Sequence, residues 1–347
     1  TFTQTVTVQD NTPPMITTLP TSLDATLECS NTTGIDAALL LIPAATDNCD
    51  ATPTISLSSD VTTPGTCPQE YTRVKTWRFR DDCGNVSGTF TQTVTVQDNT
   101  PPMITTMPGS LDATLECSNL SGIDAALMLI PAATDNCDPT PTISLSSDVT
   151  TPGACPQEYT RVKTWRFRDD CGNVSGTFTQ TVTVQDNTPP MITTLPTSLD
   201  ATLECSNTTG IDAALLLIPA ATDNCDATPT ISLSSDVTTP GACPQEYTRV
   251  KTWRFRDDCG NVSGTFTQTV TVQDNTPPMI TTLPTSLDAT LECSNTAGID
   301  AALLQIPAAT DNCDATPTIS LSSDVTTPGT CPQEYTRVKT WRFRDDC

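Results

Sequence analysis

The stretch TWRFRDDCGNVSGTFTQTVTVQDNTPP, residues 76–102, carries the reading of the fold. Up to Arg80 it alternates, with Trp77 and Phe79 on one face and Arg78 and Arg80 on the other. That is the period-2 signature of a β-strand. Residues 89–97 alternate again, with Phe90, Val94 and Val96 on one face and threonines on the other. Threonine is β-branched and polar, which suits the solvent face of a strand. The run ends in Asp98-Asn99-Thr100-Pro101-Pro102. Two prolines cannot donate to a ladder, so this is a short, stiff, extended linker.

The same stretch returns along the chain. TWRFRDDC ends at Cys83, Cys171, Cys259 and Cys347, and LDATLECSN begins at Leu23, Leu111, Leu199 and Leu287, always 88 residues apart. A near-identical repeat of that length is too long for a helical solenoid unit and fits a small β-sandwich. The fold class expected is all-β: tandem immunoglobulin-like sandwiches in an elongated array. Residues 1–9 match 89–97, and Cys347 matches Cys83. The expected boundaries are therefore 1–11 as the last strand of a preceding repeat, then repeats at 12–99, 100–187, 188–275 and 276–347. The fourth would lack its last strand and expose a sheet edge, as in a slice of a longer array.

Within one unit, residues 23–29 alternate with Leu23, Ala25, Leu27 and Cys29 inward. Ile35, Ala38, Leu39 and Ile42 fall at i, i+3, i+4 and i+7, which predicts one short helix or apolar crossover ended by Pro43. Ile55, Leu57 and Val61 are expected inward on the next strand. Arg73 and Lys75 share the Trp77 face by strict alternation, so either a bulge shifts the register or their stems lie along the core rim.

Composition narrows the function. The chain of 347 residues has 16 Lys+Arg, 40 Asp+Glu, a net charge of −24 and no histidine. Histidine-based acid–base chemistry, His-containing triads and His-ligated metals are excluded. The acidic balance argues against nucleic acid, which needs basic patches. No nucleophile motif is present, every acid recurs in all four copies, and a small domain has no deep cleft. No enzyme is expected, and no cofactor is required. No stretch is long and apolar enough for a membrane span.

Each unit holds four cysteines, the first set being Cys29, Cys49, Cys67 and Cys83. There is no CxxC pair to make a zinc site. An even count per unit reads as two disulfides per domain in an oxidising compartment, each stabilising by roughly 2–4 kcal/mol. Four cysteines allow three connectivities.

The phrases AATDNCD (residues 44–50) and RDDCGN (80–85), followed by TVTVQDNTPP, resemble hyalin-repeat-like (HYR-like) modules. These are immunoglobulin-like domains strung in large bacterial cell-surface adhesins, many exported by the type IX route. The resemblance covers nearly the whole chain and implies a structural or adhesive role. In an immunoglobulin-like sandwich the turns holding Cys49 and Cys83 share one end, with Cys29 and Cys67 at the other. The resemblance thereby implies the pairs Cys29–Cys67, Cys49–Cys83, Cys117–Cys155, Cys137–Cys171, Cys205–Cys243, Cys225–Cys259, Cys293–Cys331 and Cys313–Cys347.

Acids cluster where a linker meets the next domain's turns. Oxygen-rich clusters without histidine suit Ca²⁺. The candidate ligands are Asp10, Asp47, Asp50, Asp81 and Asp82, then Asp98, Asp135, Asp138, Asp169 and Asp170. Those of the third joint are Asp186, Asp223, Asp226, Asp257 and Asp258; those of the fourth, Asp274, Asp311, Asp314, Asp345 and Asp346. The alternative is that these side chains make local turn hydrogen bonds. All positive charge lies in the aromatic strands. Arg78, Arg80, Arg166, Arg168, Arg254, Arg256, Arg342 and Arg344 are candidates for lateral contact with other copies in a parallel bundle or filament. Two functions follow: a stiff extracellular shaft for attachment to a target cell surface, or a multivalent glycan- or protein-binding module.

Overall fold

The computed structural model describes all residues, Thr1–Cys347. The chain divides into two compact units: residues 1–153 with 158–185, and residues 154–157 with 186–347.

In the first repeat the order is β1 (Met15–Ile16), β2 (Ala25–Glu28), α1 (Thr32–Leu40), β3 (Ala45–Thr46), β4 (Thr54–Pro64), β5 (Tyr71–Arg80) and β6 (Phe90–Gln97). The main sheet has the order β2-β6-β5-β4. β6 runs antiparallel to β5, with Trp77 opposite Phe90, and parallel to β2, with Leu27 opposite Val96. The second layer is a two-residue ladder of β1 with β3, joined by α1. The second and third repeats reproduce this arrangement, so the chain is an all-β array of immunoglobulin-like repeats with one short helix each.

The helix forms where the 3.6-residue pattern places it, shifted two residues toward the N-terminus. Asn31 caps it, its Oδ1 accepting the Gly34 N–H at 3.0 Å. A Cβ on Gly34 would lie 2.5 Å from that cap's Nδ2, so a side chain there would push the cap aside. The helix buries Ile35 and Ala38 against Val94 and Val96, flanked by Ala25, Leu27 and Tyr71. At the other end of the sheet Trp77 and Phe90 pack with ring centroids 6.3 Å apart.

Three positions expected inward are exposed: Ile42 at 64%, Leu57 at 50% and Val61 at 54%. Ile42 lies beyond the helix end. A register shift between Leu57 and Ser59 places Val61 opposite Val74 rather than on the Trp77 face. Leu57 sits on the edge strand, beyond what one helix can cover. The bulge thus lies in β4, and β5 itself keeps strict alternation. Arg73 and Lys75 stay on the Trp77 side. Arg73 forks onto Asp60 with bonds of 2.8 and 2.7 Å, and Lys75 Nζ donates to the Leu39 carbonyl at the end of α1 at 2.6 Å.

Residues 2–9 are not in a strand although their sequence equals that of β6, and Phe2 is 94% exposed. In the fourth repeat Thr318–Pro328 pairs with Tyr335–Arg344, and Met279–Ile280 with Ala309–Thr310. No helix is long and apolar enough to cross a membrane.

Candidate functional site: the inter-repeat joint

The first complete joint is built from the end of β6, the linker that follows it and the acidic turns of the second repeat. The Asp98 N–H faces Glu70 Oε1 at 3.5 Å, and the Asn99 N–H donates to Glu28 Oε2 at 3.1 Å. These bonds tie the linker to the repeat it leaves. Asn173 Nδ2 donates to the Asp98 carbonyl at 2.9 Å and to Asp169 Oδ2 at 2.9 Å. Asn136 Nδ2 reaches Ser30 Oγ at 3.0 Å. These bonds tie the linker and the first repeat to the second. At the equivalent place before the first repeat, Asn85 Nδ2 donates to the Asp10 carbonyl at 3.3 Å. The Asn85 side-chain amide is therefore engaged in packing.

Two disulfides cross this joint. Cys29 is bonded to Cys137, with Cα atoms 5.9 Å apart, and Cys67 to Cys171, at 5.0 Å. Both separations lie within the usual range for a bridge. The pattern repeats in Cys155–Cys259, Cys205–Cys313 and Cys243–Cys347. Twelve cysteines are bonded in all, and Cys49, Cys83, Cys293 and Cys331 carry free thiols.

This overturns the pairing within repeats. Cys29–Cys67, Cys117–Cys155, Cys137–Cys171, Cys205–Cys243, Cys225–Cys259 and Cys313–Cys347 do not form, and neither do Cys49–Cys83 and Cys293–Cys331. The reason is geometric. Cys29 and Cys67 stand at the end where β6 exits, beside Glu28 and Glu70. Cys137 and Cys171 stand at the end where the linker enters the second repeat. The linker brings these two ends together.

The predicted metal ligands sort into two kinds. Asp138 is a turn residue with both oxygens occupied: Oδ1 accepts the Thr140 N–H and Oδ2 the Asp170 N–H. Asp50 does the same toward Thr52 and Asp82. Asp169 accepts from the Asn173 backbone and side chain. Asp82 and Asp170 point to solvent. Asp98 and Asp135 differ. Each uses Oδ1 for backbone N–H groups of its own turn, and each has a buried Oδ2 without a partner.

Asp98 is only 3% exposed. Burial, then the negative fields of Asp135, Asp169 and Glu28, push its carboxyl above the ordinary range. Asp274 is pushed up in the same way by burial, Asp311, Asp345 and Glu204. A buried carboxylate among acids, with unused oxygens, fits a hard cation with oxygen ligands. Asp98 and Asp135 would supply the free oxygens, and Asp169 and Glu28 further charge. Glu28 and Glu70 were missed in the sequence, although each lies within three residues of a joint cysteine.

Around the first acidic turn, desolvation and the charges of Asp10, Asp47 and Asp81 raise the pKa of the free Cys49 thiol. The ion pairs present are Arg73–Asp60, Arg161–Asp148, Arg249–Asp236 and Arg337–Asp324, each within the sheet of its own repeat. Arg78 and Arg80 and their counterparts take part in none of them and face the solvent side.

Comparison with known proteins agrees with this architecture. A model described as an HYR-like domain with 4 cysteines matches residues 17–96, 105–184 and 193–272. Hyalin of Lytechinus variegatus is 33% identical over 99% of this chain and 62% of its own length. Hyalin of Strongylocentrotus purpuratus is 33% identical over 90% of this chain and 25% of its own length. The chain thus spans less than two thirds of these relatives. Among solved structures, the protocadherin γB4 extracellular domain aligns at 13% identity over 95% of this chain and 62% of its own, with a TM-score of 0.35. The disulfide-rich repeats mark an extracellular, adhesion-type repeat protein. The chain belongs to the HYR-like domain family with four cysteines per domain.

Proposed function

We propose that this chain is a shaft segment of a bacterial cell-surface adhesin or filament, in which length comes from stringing domains and stiffness from locking the joints. The observation that supports it is the pair of disulfides across one linker, Cys29–Cys137 and Cys67–Cys171. A proline linker alone lets neighbouring domains pivot. Two further covalent tethers, at separate points of the same end, remove that freedom and carry tension in parallel with the backbone. With strands of this length each domain and joint would extend on the order of 35–40 Å, so four span roughly 150 Å. The resemblance of the repeats to modules of bacterial cell-surface adhesins exported by the type IX route supports the reading of a surface shaft facing a target cell.

Calcium belongs to the same reading. Ca²⁺ held by the Asp98 and Asp135 oxygens would neutralise the most desolvated acids of the joint and stiffen it further. Lateral packing of parallel copies is assigned to the free guanidinium groups of Arg78 and Arg80 against the acidic surface of a neighbour. Each such pair is worth about 0–1 kcal/mol, and repetition along the shaft multiplies it.

The shaft is tested by small-angle scattering of the oxidised and reduced chain. The oxidised protein should give one narrow distribution of long particles, and reduction should broaden it. Identical distributions would remove the stiffening role. A second reading, a multivalent glycan- or protein-binding module, is favoured by the exposed Leu57 and Val61 recurring on each repeat. A glycan array with the four-repeat chain separates the two.

A further inference from the structure

A cleft opens beside the Cys29–Cys137 bridge, where β5 begins and β6 ends. Its volume is about 480 Å³, within the range of small-molecule sites. The first repeat supplies most of its wall, and Asn136 and Cys137 of the second complete it. The floor is apolar. Ile35 of α1 and Val96 of β6 are buried members of the repeat's core, and Tyr71 packs half-buried against that core. The rim is polar, formed by Thr32, Asp36, Gln69 and Asn136.

The fold leaves these rim groups unused. The side chains of Thr32, Asp36 and Tyr71 make no hydrogen bond within the protein. Asn136 spends its Nδ2 on Ser30 Oγ and keeps its Oδ1 free. Gln69 has its Oε1 buried, and its Nε2 is accessible and unbonded. An exposed polar side chain is ordinary by itself. Five of them around one apolar floor, with donors and acceptors both present, make a recognition surface.

A pyranose ring divides in the same way. Its C–H face lies well on apolar and aromatic surface, and each hydroxyl at its edge both donates and accepts. Asp36 and Asn136 Oδ1 accept; Gln69 Nε2 donates; the Thr32 and Tyr71 hydroxyls do either. No Lys or Arg lines the cleft and the chain carries −24, so anions are repelled. One carboxylate over an apolar floor is also a poor cage for a divalent cation, which takes six or more oxygens. We infer that the cleft beside Cys29–Cys137 binds an uncharged sugar ring of a neutral glycan, with Asp36 as the main acceptor and Tyr71 as the platform. The same residue types recur beside Cys205–Cys313 as Thr208, Asp212, Gln245, Tyr247 and Asn312. Each site alone is weak, and repetition supplies avidity. The inference rests on the binding-module reading and gives it a site away from Leu57 and Val61.

The experiment is saturation-transfer NMR of the oxidised full chain with the methyl glycosides of glucose, galactose, mannose and N-acetylglucosamine. Glucuronic and galacturonic acids serve as charged counterparts. At least one neutral sugar should receive saturation, and neither acid should. Asp36→Ala, made together with Asp124→Ala, Asp212→Ala and Asp300→Ala, should weaken that binding by about tenfold or more. Asp36 is exposed and its carboxylate holds no partner, so the disulfide map and melting should match the parent. Leu57→Ser, made together with Leu145→Ser, Leu233→Ser and Leu321→Ser, should leave sugar binding unchanged. Binding lost in the leucine variant and kept in the aspartate variant would overturn the cleft and leave the binding-module reading standing. Saturation of none of the neutral sugars, or of the acids equally, would overturn the assigned ligand.

Discussion

Cys29 is bonded to Cys137, 108 residues further on and in the next repeat. Closing a loop of that length restricts the unfolded chain by on the order of 4–5 kcal/mol in the chain-entropy model. A bridge within one repeat would confine a loop less than half as long. The bridge therefore couples the stabilities of neighbouring repeats. Replacing Cys29 with Ser should free the Cys137 thiol, which thiol-specific labelling and peptide mapping will locate. Melting of the first two repeats should then split into two transitions. Labelling at Cys67 instead would contradict the crossing.

The proposed calcium site makes a pH-dependent prediction through Asp98. Its folded pKa is raised by burial, Asp135, Asp169 and Glu28. A group raised in this way favours the folded state most below its unfolded pKa, near 4, and that contribution is lost as pH rises through the folded value. At neutral pH ionising this buried carboxyl among the other acids opposes the folded joint, and a bound cation would relieve it. Ca²⁺ should raise the melting temperature at pH 7 and have little effect at pH 4. Asp98→Asn should be more stable than the parent in chelator and insensitive to Ca²⁺. Equal calcium shifts in parent and variant would remove this site.

The sheet ion pair has the opposite sign. The bidentate hydrogen bond from Arg73 holds the Asp60 carboxyl below its ordinary range. That contribution is present above about pH 4 and lost as pH falls through the folded value. The pair is about a third exposed, so it is worth at most about 1 kcal/mol. Asp60→Asn should lower stability by that amount at pH 7 and leave it unchanged at pH 2, measured by urea unfolding.

Gln92 joins three elements. Fully buried in β6, it donates from Nε2 to the Leu23 carbonyl at 2.9 Å and the Ala38 carbonyl at 2.8 Å. Gln92→Ala takes this donor from the Leu23 carbonyl, leaves the Ala38 carbonyl with the Leu41 N–H alone, opens a cavity and should cost about 2–4 kcal/mol. Gln92→Glu should also destabilise at pH 7, because it loses both donated bonds and puts a carboxylate beside the Leu23 and Ala38 carbonyls, with Lys75 opposite it across the strands. Chemical denaturation of the first repeat reads both.

Much of this was legible in the sequence because the signals are local. Alternation placed β5 and β6, and the helical stripe placed α1 from Ile35 and Ala38. Leu57 and Val61 were misjudged because the bulge after Leu57 leaves no local mark and the second layer is too small to cover β4. Gln92 did leave a signal: it interrupts the apolar row Phe90, Val94, Val96, where a polar residue needs partners on another element. The cysteine ends were legible but the bridges were not. Spacing within a repeat says nothing about which ends the linker brings together, and identical repeats make each cysteine's partner ambiguous by one period.

The central claim is that sulfur joins neighbouring repeats rather than closing each one. A non-reduced digest with trypsin and a glutamyl-specific protease tests it most directly, because Glu28, Glu70, Arg80, Glu116 and Glu158 then bound peptides 29–70, 81–116 and 117–158 of unique mass, and peptide 169–204, which shares its sequence with 257–292, still differs in mass from 81–116. The account predicts that peptide 29–70 is linked to peptide 117–158 through Cys29–Cys137 and to peptide 169–204 through Cys67–Cys171. Peptide 29–70 linked to peptide 81–116 alone, with Cys29 and Cys67 joined inside it, would contradict the account.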